Sequence, residues 1–275
     1  MKFAGAMLNK AEPLPHAPGA AAPVVATVRD VWKSFRGRGG SDTVHVLEGI
    51  NLEVRAGEFI VIVGPSGCGK STLLSILGGF ETATRGEVLI EGEQVNGPDR
   101  RRLFVFQENA VFPWLTVERN VAFGLSTLPP ERRAELVRHY IDLVGLTGFE
   151  KAYPRELSGG MRQRTELARV LAANPELIYM DEPFGALDYI TRLKLRADLV
   201  RLWQQERKTI LFVTHDIDES VQLADRIVVM SRRPATIARV IRADLPRPRD
   251  MDSPAYIRVR DEVFAAMGMN PHLGV

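Results

Sequence analysis

The 275-residue chain contains a single cysteine, Cys68. No disulfide can form within it, and a reducing compartment is its expected home. It also lacks an excess of either charge, with 36 Lys and Arg against 34 Asp and Glu. That balance gives little support for a nucleic-acid surface, and no nucleic-acid partner is expected. No apolar run reaches the roughly 20 residues of a membrane-spanning helix. The opening Met1 to Leu8 is interrupted by Asn9 and Lys10 before a signal-peptide core develops. The expectation is a protein soluble by itself and held at any membrane through something else. Large side chains are scarce from Ala11 to Pro23, where prolines sit among alanines. Such a composition cannot offset the entropy of ordering, so residues 1–23 read as a flexible leader. Over the rest of the chain the hydrophobic content suffices for a core of one large domain, or one with a subdomain.

What the chain does possess is the stretch Gly64-Pro65-Ser66-Gly67-Cys68-Gly69-Lys70-Ser71-Thr72. It is a complete G-x-x-x-x-G-K-[ST] phosphate loop between the apolar run Phe59 to Val63 and the apolar helix begun by Leu73 and Leu74. Its glycines let successive N–H groups converge on a phosphate, and the following helix adds the partial positive charge of its N-terminus. Lys70 is expected to reach the β- and γ-phosphates of ATP, and Ser71 to ligate Mg²⁺. Cys68 reads as a small residue filling a variable loop position rather than as a reactive thiol.

Around this loop the pattern is α/β. Val24 to Phe35 alternates as a strand and is followed by a turn at Arg36 to Gly40. A strand pair is expected near Val44 to Leu47 and Ile50 to Val54, and Gly86 to Gly92 reads as a short antiparallel strand. Leu103 to Phe106 reads as a buried strand. From Val117 to Tyr153 the pattern turns helical: one helix covers Val117 to Leu125, and a second, from Glu131 to Leu146, lines up Leu136, Tyr140, Leu143 and Val144. Strands return at Leu177 to Met180, Thr209 to Val213 and Arg226 to Met230, with helices over Ile190 to Arg207 and Asp218 to Ala224. This alternation implies a largely parallel sheet whose ligands collect at its carboxyl ends. The fold class is therefore an α/β P-loop NTPase core with a mainly parallel sheet, an antiparallel β subdomain and a helical subdomain insert. From Ala243 a proline-extended tail leads to a short amphipathic segment near Tyr256 to Met267.

Polar residues follow three of these strands. Asp181 is suited to hold Mg²⁺, and Glu182 to polarise an attacking water. His215, in Val213-Thr214-His215-Asp216, is suited to contact the γ-phosphate and the water, and Gln107 to ligate Mg²⁺ and sense the γ-phosphate. The string Leu157-Ser158-Gly159-Gly160-Met161-Arg162-Gln163-Arg164 opens a further helix and makes a second phosphate-grade helix N-terminus.

With that string the sequence resembles the ATP-binding cassette family, over about Val25 to Ile241. The phosphate loop, the Leu-Ser-Gly-Gly signature, the acidic strand end, the Ala186-Leu187-Asp188 loop and the His215 switch come in the family's order. The resemblance implies a nucleotide-binding domain over residues 24–243, with its helical subdomain at about 108–165, and a short C-terminal extension over 244–275. It implies that two copies sandwich two ATP molecules head to tail, so that Ser158, Gly159, Gly160 and Asp188 of one copy complete the site built on Lys70 of the other. Phe35 matches the aromatic that stacks on adenine, commonly a tyrosine in the family. Met161 stands where many members have glutamine.

Within the family, Asp181 to Asp188, the Phe112-Pro113-Trp114-Leu115 segment and Leu245 to Asp250 are similar to importers of nitrate, taurine and other sulfonates. The implied partners are a second copy of the chain, transmembrane permease subunits and, indirectly, a periplasmic solute-binding protein. The implied place is the cytoplasmic face of the inner membrane. A non-transport cassette, associated with nucleic acid or translation, would carry a long coiled-coil insertion or a second cassette. A different P-loop enzyme would lack the Leu-Ser-Gly-Gly string.

Overall fold

The computed structural model describes residues 22–36, 42–107, 110–185 and 187–270. The leader expected over residues 1–23, apart from its last two residues, lies outside this set, as do residues 37–40 of the expected turn and Ala186.

In chain order the elements are β1 (Val24–Arg36), β2 (Thr43–Arg55), β3 (Phe59–Val63), α1 (Lys70–Gly78), β4 (Arg85–Ile90), β5 (Glu93–Gln94) and β6 (Arg102–Val105). A helical stretch follows with α2 (Val117–Ala122), α3 (Pro130–Leu143) and α4 (Gly159–Ala172). Then come β7 (Leu177–Asp181), α5 (Tyr189–Glu206), β8 (Thr209–Thr214), α6 (Ile217–Leu223), β9 (Arg226–Met230), β10 (Ile237–Arg242) and α7 (Pro254–Ala266).

The strands form two sheets. One has four strands in the order β2-β1-β4-β5, all antiparallel. The other has six in the order β10-β9-β3-β8-β7-β6, parallel except for β10 at its edge. The central strands β3 and β8 are buried along their whole length, because βαβ crossovers cover both faces of a parallel sheet. Alternation along β3 divides the core. Phe59, Val61 and Val63 face one apolar cluster with Trp203 and Phe212, while Ile60 and Ile62 face another with Leu73, Leu74 and Leu77 of α1 and Val28 and Ile50 of the antiparallel sheet. The antiparallel sheet is thereby seated on the same face as α1, against the phosphate loop.

Several expectations need correction. The strand pair over 44–47 and 50–54 is one strand, β2: Glu48 N donates to Ala235 O at 2.9 Å, Gly49 takes a φ of +59°, and the register against β1 is irregular. An apparent break in the pattern is a bulged strand whose Leu47, Ile50, Leu52 and Val54 remain in the core. The buried stripe of α3 is Val137, Tyr140 and Ile141, continued by Val144 just past its end, with Leu136 and Leu143 only partly buried. The helix packs on α2 and α4 along a line one residue round from the expected one. It also stops at Leu143, before Gly145 takes a φ of +70°. β6 ends at Val105, which alone in that strand is fully buried, and Phe106 is exposed, because β6 is the sheet's edge. The edge strand β10 was not anticipated, since of Ile237 to Arg242 only Ile241 is fully buried.

The proline-extended tail is docked. Arg247 pairs with Asp225 at 3.1 Å and lies 4.3 Å from the Trp203 ring centroid, and Arg249 donates to the carbonyls of Val221 and Ala243. Beyond it, α7 buries Tyr256 and Val263. Among the described residues no helix is long and apolar enough to cross a membrane.

Candidate functional site

Parallel pairing in register brings the carboxyl ends of β3, β8, β7 and β6 side by side: Val63 is opposite Thr214, Val213 opposite Asp181, and Met180 opposite Val105. The residues that follow these ends are therefore neighbours although the chain from Gly64 to His215 separates them.

The phosphate loop follows β3. Gly67 and Gly69 have φ of +72° and +123°, values that a side chain would strain, and a Cβ on Gly64 would lie 2.9 Å from Met230 O. Pro65 O accepts from Cys68 N at 3.3 Å, which closes the turn, while Ser66 stays exposed. Burial pushes the Cys68 thiol up, so it is a buried filler of the loop and not a thiolate. Lys70 is buried, and its Nζ donates to Gly64 O at 2.9 Å and Pro65 O at 3.1 Å. The start of α1 has no side-chain cap and no acidic residue in its first turn, whereas α4, α5, α6 and α7 are capped by Ser158, Asp188, Asp216 and Ser253. An ammonium held only by carbonyls beside an uncapped helix start is a ready cradle for a phosphate.

Ser71 Oγ donates to Asp181 Oδ1 at 3.0 Å across the end of β7. Burial above all raises the Asp181 carboxyl, the Glu182 charge adds to this, and the Ser71 bond and Lys70 oppose it. Two hard oxygen donors in contact fit a magnesium ion held mainly by phosphate and water. The next residue, Glu182, adopts a left-handed φ of +44°, with its N–H on Val213 O and its carbonyl on Gly185 N, each at 3.0 Å. This turn directs Oε2 to within 2.9 Å of His215 Nδ1. A carboxylate only accepts, so His215 donates from Nδ1 and Nε2 is left for another partner. The Gln107 amide is beside the same turn: a Cβ on Gly185 would lie 3.7 Å from its Nε2.

Phe35, the penultimate residue of β1, is opposite Val44, two residues before the Val46 that a Cβ on Gly69 would meet at 2.8 Å. The antiparallel sheet thus carries an aromatic ring, 39% exposed and with Lys33 Nζ 4.6 Å from its centroid, toward the loop. Thr72 is partly buried in the first turn of α1.

Ser158, Gly159 and Gly160 are not drawn into this cluster. Ser158 is exposed, and its Oγ accepts from Met161 N at 3.3 Å. The nearest neighbours of a Cβ on Gly159 and on Gly160 would be Leu187 and Thr191. Asp188 caps α5 by accepting from Thr191 N at 3.0 Å, and hydrogen bonding from the Thr191 hydroxyl above all, then from its N–H, lowers the carboxyl's pKa. The two helix starts form one surface, continued by the exposed Tyr189 and Ile190.

A groove of about 1100 Å³ opens between the helical insert and the edge of the parallel sheet. Phe112 and Phe123 line it from the insert, with ring centroids 4.4 Å apart, and Phe80 just past α1, Phe104 of β6 and Phe106 just past β6 line the other side. The last three were missed in the sequence. The signal is the Phe-x-Phe pair at an edge strand, which a burial reading hides.

A phosphate loop at the carboxyl ends of a parallel sheet, with a carboxylate pair on the neighbouring strand, defines a P-loop nucleoside triphosphatase. The chain belongs to the ABC transporter family, whose profile matches residues 47–185. It is 45% identical over 241 residues to the aliphatic sulfonates import ATP-binding protein of Bacillus cereus, covering 88% of this chain and 95% of that one. It is 47% identical over 239 residues to an uncharacterized ABC transporter ATP-binding protein of Methanocaldococcus jannaschii, covering 86% and 89%. Among solved structures, a dimeric ATP-binding cassette in a post-hydrolysis state with ADP and Pi superposes with a TM-score of 0.68 at 33% identity, over 79% of this chain and 98% of that one. The protein is an ATPase of this family.

Proposed function

We propose that the protein is the ATP-hydrolysing subunit of a membrane importer, and that two copies close around two Mg·ATP to drive a permease. The observation that carries this reading is the division of the phosphate-binding features within one chain. Lys70, Asp181, Glu182 and His215 cluster at the sheet's end, whereas Ser158 and Asp188 stand together on a separate exposed surface. A second copy would bring that surface to the γ-phosphate.

In this reading the Lys70 ammonium exchanges its two carbonyl partners for phosphate oxygens, and the N–H groups of Gly67, Gly69 and the α1 start hold the rest. Ser71, Asp181 and Gln107 would hold Mg²⁺, which when bound neutralises charge on the β- and γ-phosphates. Glu182 takes the proton of the attacking water, His215 orients that carboxylate through Nδ1, and Nε2 is available to the γ-phosphate. Such catalysis is positioning and electrostatics, with no covalent step on the protein. Phe35 stacks on the adenine.

The aromatic groove fits a short helix of a permease, and the helical subdomain over about 108–165 would present it. A solute of the sulfonate kind is supported by the named sulfonate relative, and a solute of the nitrate kind only by the sequence resemblance. Such a solute would be delivered by a periplasmic binding protein, with this subunit peripheral on the cytoplasmic face.

The test of the shared site uses Lys70→Ala and Ser158→Arg on a Glu182→Gln background. Neither variant alone has a complete site. Mixed dimers would combine one intact loop with one intact signature, so nucleotide occlusion is expected on mixing and in neither variant alone. No occlusion in isolated mixed dimers, while the Glu182→Gln control occludes, would overturn the reading.

A further inference from the structure

Helix α4 carries a charge into the core. Glu166 is 0% exposed and sits among apolar neighbours of the same helix, Leu167 and Val170. A carboxylate in such a place is costly unless its oxygens are satisfied. Here they are divided between two backbone amides: Phe106 N donates to Oε1 at 3.4 Å and Ala110 N to Oε2 at 3.2 Å. Arg169, three residues along the helix, places Nη2 3.8 Å from Oε1 and donates from Nη1 to Ala110 O at 2.8 Å. Its guanidinium lies 4.8 Å from the centroid of the Phe112 ring. Burial still pushes the Glu166 carboxyl up to about 7, against the pull of Arg169 and the two amides, and burial lowers the Arg169 pKa in turn. Two amides and a carbonyl just past an edge strand could be met by water. Instead a buried ion pair binds them.

The residues so bound are Phe106, immediately before Gln107, and Ala110, three after it. We propose that Glu166, with Arg169, is a positioning residue for Gln107. It fixes the backbone on both sides of Gln107 to α4 and thereby sets where the Gln107 amide stands relative to the Glu182 turn. Arg169 of the pair also reaches the groove, which it lines together with Phe106 and Phe112. One rigid connection therefore runs from the groove wall to the nucleotide side of the sheet, on the helix that Ser158 begins. The proposal rests on the reading of Gln107 as a ligand of Mg²⁺ and sensor of the γ-phosphate.

The test compares Glu166→Gln, Glu166→Ala, Gln107→Ala and the double variant Glu166→Gln/Gln107→Ala in the full-length ATPase. Glu166→Gln keeps the shape and one acceptor but turns an NH₂ toward one amide. It is expected to lower kcat about tenfold and to raise the Mg²⁺ concentration for half-maximal activity several-fold, with KM for Mg·ATP within about twofold. Glu166→Ala should go further. Hydrogen exchange in the segment 104–112 should quicken in both variants, while exchange in β3 and β8 stays as in the wild type. The double variant should be no worse than Gln107→Ala alone, because Glu166 acts through Gln107.

An additive loss in the double variant, or unchanged exchange in the segment 104–112, would overturn the proposal while leaving the Gln107 reading intact. An inert Gln107→Ala would instead overturn the Gln107 reading and its functional consequence together. Should Glu166→Ala fail to fold, the near-isosteric Glu166→Gln carries the same comparison.

Discussion

Glu182 and His215 are the first residues past the neighbouring strands β7 and β8 and meet at 2.9 Å between Oε2 and Nδ1. The contact depends on the left-handed φ of Glu182, a conformation that costs about 1 kcal/mol or more for a side-chain-bearing residue. Strain kept at a strand end beside a phosphate loop is consistent with a residue that must aim its carboxylate. Glu182→Gln preserves shape and removes the proposed base. ATP affinity should therefore stay within a few-fold while phosphate release falls by roughly 10²–10⁴. Equilibrium nucleotide binding and steady-state turnover measure the two; wild-type turnover in the variant would remove Glu182 from the chemistry.

Trp114 is 68% exposed and stacks only loosely on Phe112, with ring centroids 5.5 Å apart. Its truncation to alanine should change folding stability by no more than about 0.5 kcal/mol. If the insert's aromatic cluster meets the permease, co-purification of the permease should fall about tenfold or more. A collapse of the thermal transition in Trp114→Ala would instead mark the ring as part of the core.

Gly79 and Gly92 share a left-handed backbone, at φ of +80° and +83°, but differ in surroundings. A Cβ on Gly79 would lie 2.2 Å from Gly97 O, whereas one on Gly92 meets nothing within 4 Å. Gly92→Ala should therefore cost only the strain of the backbone, about 1 kcal/mol. Gly79→Ala must also displace a neighbouring main chain and should cost at least about 2 kcal/mol more. Denaturant melts of the two variants give the comparison, and equal losses would contradict it.

Glu166 makes stability depend on pH with a definite sign. Its carboxyl is raised from 4.5 to about 7 in the folded protein, so the folded state holds the proton more tightly than the unfolded one. Its contribution is fully present below about pH 4.5 and is lost as pH rises through about 7, by about 3 kcal/mol at most. Arg169 is the charged group beside it, and the segment packed on it contributes the amides of Phe106 and Ala110. Unfolding free energies of wild type and Glu166→Gln, measured at pH 5 and pH 8, should differ in slope by this amount. Parallel slopes would show that the carboxyl titrates normally.

The phosphate loop, the strand-helix alternation after Leu177 and the acidic strand end could be read from the sequence because each is local. Glycine spacing, period-two and period-3.6 patterns and turn residues lie within a few positions of one another. The order β10-β9-β3-β8-β7-β6 could not be read this way, since strand neighbours are chosen by pairings between distant segments. That order alone brings Gln107, Asp181, Glu182 and His215 to one edge beside Lys70.

Burial at the boundaries was likewise decided by packing. β2 stays one strand because Glu48 finds Ala235 across the sheet, and α3 turns its stripe to meet α2 and α4. In sequence Glu166 is one charge among many on an amphipathic helix. Only the closure of α4 over the edge of β6 makes it a buried carboxylate shared by two amides, because its partners lie 60 and 56 residues away.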